Sequence, residues 1–191
     1  KGGMDPEYLN AKFHRIEEQT ARAAAIIDHM RMFGREAKES AVLIDPCKVV
    51  TQALDLIGEQ LRLSGIEVVT LLDKECSPIM AHPIQMEQVV LNLLTNARDA
   101  ITQRDGESKI TIRVFEDDNG VNIVSEDTGG GISEDDLSRI FEPFFTTKEI
   151  GKGTGLGLSV SYGIIQELNG RIFAENIDQG ARFTITLQSS S

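Results

Sequence analysis

Positions 9, 13, 16, 20, 23, 27 and 30 hold Leu9, Phe13, Ile16, Thr20, Ala23, Ile27 and Met30. The steps between them alternate four and three, which is a heptad seam. Asp5-Pro6 supplies a cap and a first-turn proline, and Gly34 stands near the far end. The spacing therefore predicts a helix over about 6–37, ~45 Å long at 1.5 Å per residue. One helix cannot bury its own seam. The pattern asks for a partner helix, a second copy of the chain, or both; a surface helix folded back on the following domain is the plainer alternative.

Past residue 40 the periodicity changes and a second unit, 41–191, begins. Short apolar runs at 41–45 and 66–72 predict strands, and between them 46–65 has helical spacing with Asp45 as cap and Gly65 as stop. A second helix is expected over 82–103, entered through His82-Pro83. The runs 108–118 and 120–127 alternate as strands around Asp118-Asn119-Gly120, a hairpin signal. A loop-like segment over 128–152 precedes a third helix, about 155–169, stopped by Asn169-Gly170. A closing hairpin turns at Asp178-Gln179-Gly180. Adjacent hairpin pairs predict an α/β fold: a two-layer sandwich of a mixed, largely antiparallel sheet with three helices on one face, not a doubly wound parallel sheet.

Composition narrows the function classes. Hydrophobic residues make up 40% of the 191, enough for a packed core. No apolar run approaches the ~18 residues needed to cross a bilayer, and no signal peptide is expected. The opening "KGGMDPEY" has the look of a piece of a longer protein, so a membrane-bound parent is compatible with the sequence. Cys47 and Cys76 form neither a metal spacing nor a disulfide framework, which favours a reducing, cytoplasmic setting. The net charge of −11 argues against nucleic acid as a partner. It also means that an anionic ligand must be held by local donors, against the overall field.

Four segments carry candidate chemistry. In "GKGTGLGLS" (151–159), glycines occupy every second position before a helix. The dinucleotide fingerprint and the P-loop both fail here, the first because its sixth position is leucine, the second because Lys152 is followed by glycine. Bare backbone leading into a helix N-terminus can still cradle phosphate; a flexible hinge is the other reading. In "NLLTNARDA" (92–100), Asn92 and Asn96 share a helix face. An amide oxygen there could ligate Mg²⁺, or the pair could be buried polar residues satisfied by backbone. "DTGGGI" (127–132) puts a carboxylate at a strand end with Gly129 and Gly131 following, suited either to accept from a base amine or to form a capped turn into a helix over "SEDDLSRI" (133–140). "FEPFFTTK" (141–148) is either a mobile element with a sticky surface or a loop anchored by its aromatics.

Taken in order, these segments resemble the boxes of the GHKL (Bergerat-fold) ATP-binding superfamily, and within it the catalytic domain of sensor histidine kinases. The resemblance covers about residues 41–188: an asparagine box (92–100), a first glycine box (127–131), a phenylalanine box (141–148), a second glycine box (151–159) and the closing "GARFTITL". It implies ATP and Mg²⁺ as ligands. Asn96 would be the Mg²⁺ ligand, and Asn92 would support the phosphate and metal region. Asp127 would accept from the adenine amine, with Gly129 and Gly131 shaping the base pocket. Gly153, Gly155 and Gly157, with the backbone around Thr154 and Leu156, would cradle the phosphates. Residues 133–152 would form a lid, in which Lys148 is either a phosphate-binding charge or a solvated residue.

The same resemblance sets expectations for reaction and partners. Related gyrase-type ATPases carry a glutamate as base four residues before the metal asparagine; here that position is Asn92, and an amide cannot take a proton from water at neutral pH. The expected activity is thus transfer of the γ-phosphoryl group to a histidine and onward to a response regulator receiver domain. A GHKL ATPase or a nucleotide-binding scaffold without kinase activity are the rival readings. His14 and His29 lack the family's usual acceptor pattern, although "HRIEEQ" at His14 resembles a variant of it; the reading preferred is that residues 1–40 would be the second helix of a dimerisation hairpin, with the phosphoacceptor helix upstream and a homodimer in the parent. No membrane contact by this chain is implied. Thr128 stands where many relatives have asparagine, Ala181 where related ATPases have threonine. Asp99 reads as a helix-surface or water-mediated residue, and His82 as structural.

Overall fold

The computed structural model describes residues 12–13, 41–148 and 153–190. The heptad segment, apart from residues 12–13, and lid residues 149–152 lie outside the described residues. In chain order the elements are β1 (Val42–Ile44), α1 (Pro46–Leu63), β2 (Glu67–Leu72), β3 (Ile79–Ala81), α2 (Pro83–Ile101), β4 (Lys109–Asp117), β5 (Gly120–Asp127), α3 (Glu134–Leu137), α4 (Gly157–Glu167), β6 (Arg171–Ile177) and β7 (Gly180–Leu187).

Five strands form one sheet in the order β2-β4-β5-β7-β6. Only β2 and β4 run parallel; every other pair is antiparallel. The mixed, largely antiparallel sheet follows from its two hairpins. The β4–β5 hairpin closes with Asp117 opposite Gly120, and the β6–β7 hairpin with Ile177 opposite Gly180.

Strand alternation sorts the side chains. Ile110, Ile112 and Val114 of β4, Val121 and Ile123 of β5, and Phe183, Ile185 and Leu187 of β7 all lie in the core. Opposite them come Val89, Val90, Leu93, Leu94 and Ala97 of α2, all at most 3% exposed. Each fully buried leucine or isoleucine contributes roughly 1.5–3 kcal/mol of transfer free energy. α2 is the central helix, packed against both α1 and α4.

Local chemistry sets the helix ends. The Asp45 side chain accepts from the backbone N–H of Cys47 (2.9 Å) and Lys48 (3.3 Å), capping α1, and Pro46 fills its first turn. Gly65, at φ +71°, turns the chain out of α1. His82 precedes Pro83 at the start of α2 without a side-chain capping bond.

Two features differ from the pattern-based expectation. The 41–45 run does not join the main sheet; β1 pairs antiparallel with β3, a three-residue strand too short to show alternation. Within the 128–152 segment the helix that 133–140 suggests is present but only four residues long, α3, capped by Ser133, whose hydroxyl oxygen accepts from the Asp136 N–H at 3.2 Å.

Candidate functional site

A hollow of about 720 Å³ opens on the helix side of the sheet. Its lining includes Asn92, Asn96 and Asp99 from α2, Asp127 at the end of β5, Gly129 and Gly131 just after it, Lys148, and Gly153, Thr154, Gly155 and Gly157. Ten of the eleven residues expected to bind nucleotide and metal therefore share one cavity, together with Asp99. Leu156 does not line it: its side chain is 6% exposed and packs in the core.

Asp127 is 5% exposed. Its Oδ1 accepts from the Gly129 N–H at 2.8 Å and from the Ala181 N–H at 3.4 Å. Both bonds fall on one oxygen, so Oδ2 has no protein donor among the described residues. Burial pushes the Asp127 carboxyl above its ordinary value, and the two N–H groups only partly offset this. With Oδ2 open to the hollow, the carboxylate can accept a further hydrogen bond from a donor that enters it.

The approach of β7 to this carboxylate depends on Gly180. A Cβ there would overlap the Asp127 carbonyl oxygen. Asn176 of β6 fixes the loop beyond the glycines: its Oδ1 accepts from the Ile132 N–H and its Nδ2 donates to the Ile132 carbonyl, both at 2.7 Å.

On α2, the two asparagines have different surroundings. Asn92 Oδ1 accepts from Gln88 Nε2 at 2.9 Å, while its Nδ2 donates to the Gly157 carbonyl (3.0 Å) and to Ser161 Oγ (3.1 Å). It is a strut between α2 and α4, with donor and acceptor both engaged. Among the described residues, the oxygen of Asn96 meets only the Lys148 ammonium, at a long 3.5 Å.

Lys148 is not a solvated residue. Its side chain is 23% exposed, and Nζ lies 2.6 Å from Asp99 Oδ2. This corrects the surface reading of Asp99, which is itself 22% exposed and also accepts from Arg98. Burial pulls the Asp99 carboxyl up; the hydrogen bonds and charges of Lys148 and Arg98 outweigh it and hold the group below its ordinary value. The signal that could have revealed this was the i, i+3 spacing from Asn96.

The phenylalanine-rich segment is anchored rather than loose. Phe141 and Phe145 pack against the core. The ring of Phe141 lies 5.5 Å from Tyr162, and the Arg139 guanidinium sits 4.5 Å over Phe145. Phe144 turns outward at φ +68° and donates its N–H to the Gly155 carbonyl at 2.8 Å. Gly155, at φ +66°, has no room for a side chain: a Cβ would come within 2.5 Å of the Phe144 carbonyl carbon. From there the chain enters α4, whose first turn has no side-chain cap and no acidic residue.

This constellation invites comparison with known proteins. Residues 81–191 match the model of the histidine kinase-, DNA gyrase B-, and HSP90-like ATPase family. The chain belongs to that family. Among curated relatives, the two-component sensor PprA of Pseudomonas aeruginosa is 39% identical over 189 residues, covering 97% of this chain and 20% of its own length. Sporulation kinase E of Bacillus subtilis is 37% identical over 192 residues, covering 98% of this chain and 25% of its own. The chain thus spans about a fifth to a quarter of these relatives. The nucleotide-free catalytic domain of histidine kinase ThkA superposes with a TM-score of 0.70 at 30% identity, over 79% of this chain and 97% of that one. Full-length ShkA in complex with AMPPNP shares the fold at a TM-score of 0.70 and 21% identity, over 99% of this chain and 41% of that one. The α/β sandwich is that of histidine kinase catalytic domains in this family.

Among the described residues no helix is long and apolar enough to cross a membrane. Nor do three or more His, Cys, Asp or Glu side chains cluster as a metal site there.

Proposed function

We propose that residues 41–191 bind Mg-ATP and donate its γ-phosphoryl group to a histidine of a dimerisation helix pair, for onward transfer to an aspartate of a response regulator receiver domain. The observation that carries this is the opening of Asp127 and Asn96 onto one hollow. In this reading Asp127 Oδ2 accepts from the adenine amine, and Gly129 and Gly131 leave room for the ring. The triphosphate extends toward the uncapped first turn of α4, where free N–H groups and the positive helix end favour an anion. Gly153, Thr154, Gly155 and Gly157 lie along that path, with the backbone of Leu156 between them.

The donor set suits Mg²⁺. One amide oxygen, Asn96 Oδ1, has only a long protein contact among the described residues, and Mg²⁺ takes few protein ligands and leaves its other positions to phosphate and water. Bound there, the ion would neutralise charge on the phosphate oxygens. Lys148 adds a positive charge beside the same amide.

Transfer forms a bond from an imidazole nitrogen to the γ-phosphorus and breaks the bond from that phosphorus to the β,γ-bridging oxygen, releasing ADP. A neutral imidazole presents a lone pair without first losing a proton. Water needs a base, and Asn92 offers none: its oxygen accepts from Gln88, and its nitrogen is bound to α4. The chain's part is to orient the nucleotide and stabilise its charge.

Residues 1–40 would supply one helix of the dimerisation hairpin in a homodimeric parent, with the phosphoacceptor helix being the other. The domain would work in the cytoplasm, without membrane or nucleic-acid contact of its own. The test mixes this chain with Mg-ATP and a separately made acceptor-helix hairpin. Acid-labile phosphate on histidine is the expected product. Steady ATP hydrolysis without phosphohistidine would favour an ATPase, and no Mg-ATP binding at millimolar concentration would favour a scaffold.

A further inference from the structure

We infer that Asp99 is a positioning residue whose carboxylate holds the Lys148 ammonium at Asn96, so that a triphosphate meets a fixed cation. This rests on the nucleotide reading above and adds a residue to it. Lys148 belongs to a segment 49 residues further along the chain, and its flexible four-carbon stem would otherwise leave the charge unplaced.

The carboxylate is itself braced. Its Oδ1 accepts from Arg98 Nε (3.0 Å) and Nη2 (2.7 Å), leaving Oδ2 for Lys148. Arg98 Nη1 in turn donates to Gln60 Oε1 of α1 at 2.9 Å. A polar relay thus runs from α1 through Arg98 and Asp99 to Lys148, ending at Asn96. The three charged side chains are 25%, 22% and 23% exposed, so water screens them only in part.

The Arg98–Asp99–Lys148 cluster leaves one positive charge uncompensated within itself. One carboxylate stands against two cations, so the cluster carries a net charge of +1 within a chain of net charge −11. An ammonium has three N–H donors. One goes to Asp99 and one makes the long contact to Asn96; the third has no side-chain acceptor among the described residues. Lys148 can therefore meet a phosphate oxygen without leaving Asp99. The pair places the charge; it does not sequester it.

The inference separates phosphate-end binding from base-end binding, and the test reads that split. Affinity is measured for a non-hydrolysable Mg-ATP analogue and for AMP, in the parent, Asp99→Asn, Lys148→Ala and the double variant. Asp99→Asn is expected to weaken the triphosphate analogue about tenfold, as loss of a charge-assisted contact would, and to change AMP affinity by less than about twofold. The double variant should bind no more weakly than Lys148→Ala alone, because both changes remove the same placed cation. Asp99→Glu should recover part of the loss. Equal weakening of both nucleotides, or full additivity with Lys148→Ala, would overturn the inference.

A second readout uses the parent chain and needs no variant to fold. Acylation of the Lys148 amine should be slow relative to the exposed Lys48, and slower still with the triphosphate analogue but not with AMP. Labelling of Lys148 as fast as Lys48 would contradict a held ammonium. A parent that binds neither nucleotide would overturn the nucleotide reading and this inference together. A parent that binds both, with Asp99→Asn indifferent, would overturn this inference alone.

Discussion

Glu126 and Asp127 are adjacent in β5, yet their carboxyl groups serve opposite faces of the sheet, because successive side chains of a strand alternate. Glu126 lies on the face away from the helices. It accepts from Arg113 at 2.7 Å and from Arg182 at 2.6 Å, and Arg182 also reaches Glu175 at 3.1 Å. Next to them Thr186 donates to Asn122 at 2.8 Å. This face has a hollow of about 700 Å³, nearly the size of the one on the helix side, and none of the box residues lines it. Size and charge alone do not tell the two apart. On the open face the acidic groups already have partners, and the only buried side-chain polar atom left without one among the described residues is Arg113 Nε. On the helix side Asp127 keeps one oxygen open to the hollow with no protein donor among the described residues, a helix start is uncapped, and the backbone is stripped of side chains where it turns.

From that contrast, Asp127→Asn is expected to have the largest effect on function. Replacing a charged acceptor that a bound base must face should cost about 2–3 kcal/mol of adenine nucleotide affinity, a loss of roughly 30–150-fold by titration calorimetry. The same change should not destabilise the fold at neutral pH. The folded-state pKa of Asp127 is raised, so its stabilising contribution is present below the ordinary carboxylate value and is lost as pH rises through the folded value. At neutral pH the ionised, buried group is a cost. Thermal unfolding followed across that window should show the parent losing stability with rising pH relative to the variant. A variant less stable than the parent at neutral pH, with unchanged affinity, would turn Asp127 into a structural residue.

Gly180→Ala comes next. Its new methyl meets the Asp127 carbonyl oxygen, and forcing β7 away should cost about 1–3 kcal/mol of stability in denaturant titrations, with weaker nucleotide binding as a consequence. The smallest effect belongs to the other face. Glu126→Gln breaks a network whose arginines are 42% and 35% exposed, and should cost roughly 1 kcal/mol or less in stability. Nucleotide affinity should stay within about twofold, although the substitution is one residue from Asp127. A large affinity loss there would erase the distinction between the faces.

What could be read from the sequence follows the range of the interactions involved. The helices and both hairpins announce themselves through short-range signals: the Asp45 cap, the Gly65 stop, Gly120 and Gly180 at the turns. The β1–β3 ribbon does not, since two three-residue strands carry little alternation and find each other across a helix and another strand. The site residues were legible as types in an order, without the bonds that give them roles. Asn92 looked like a partner of Asn96, but its amide ties α2 to α4. Asp99 looked like surface because its partner Lys148 comes from a distant segment. The second glycine box looked like a phosphate cradle, and Gly155 has in addition a packing reason for being glycine, against the backbone of Phe144.

The most direct test of the central claim is a backbone amide NMR titration of the chain with a non-hydrolysable Mg-ATP analogue. Shift changes are expected at Asn96, Gly129, Gly131, Gly153 and Gly155, with Asn122, Phe173 and Thr184 on the open face unmoved. Changes confined to the open face, or none at millimolar nucleotide, would contradict the account.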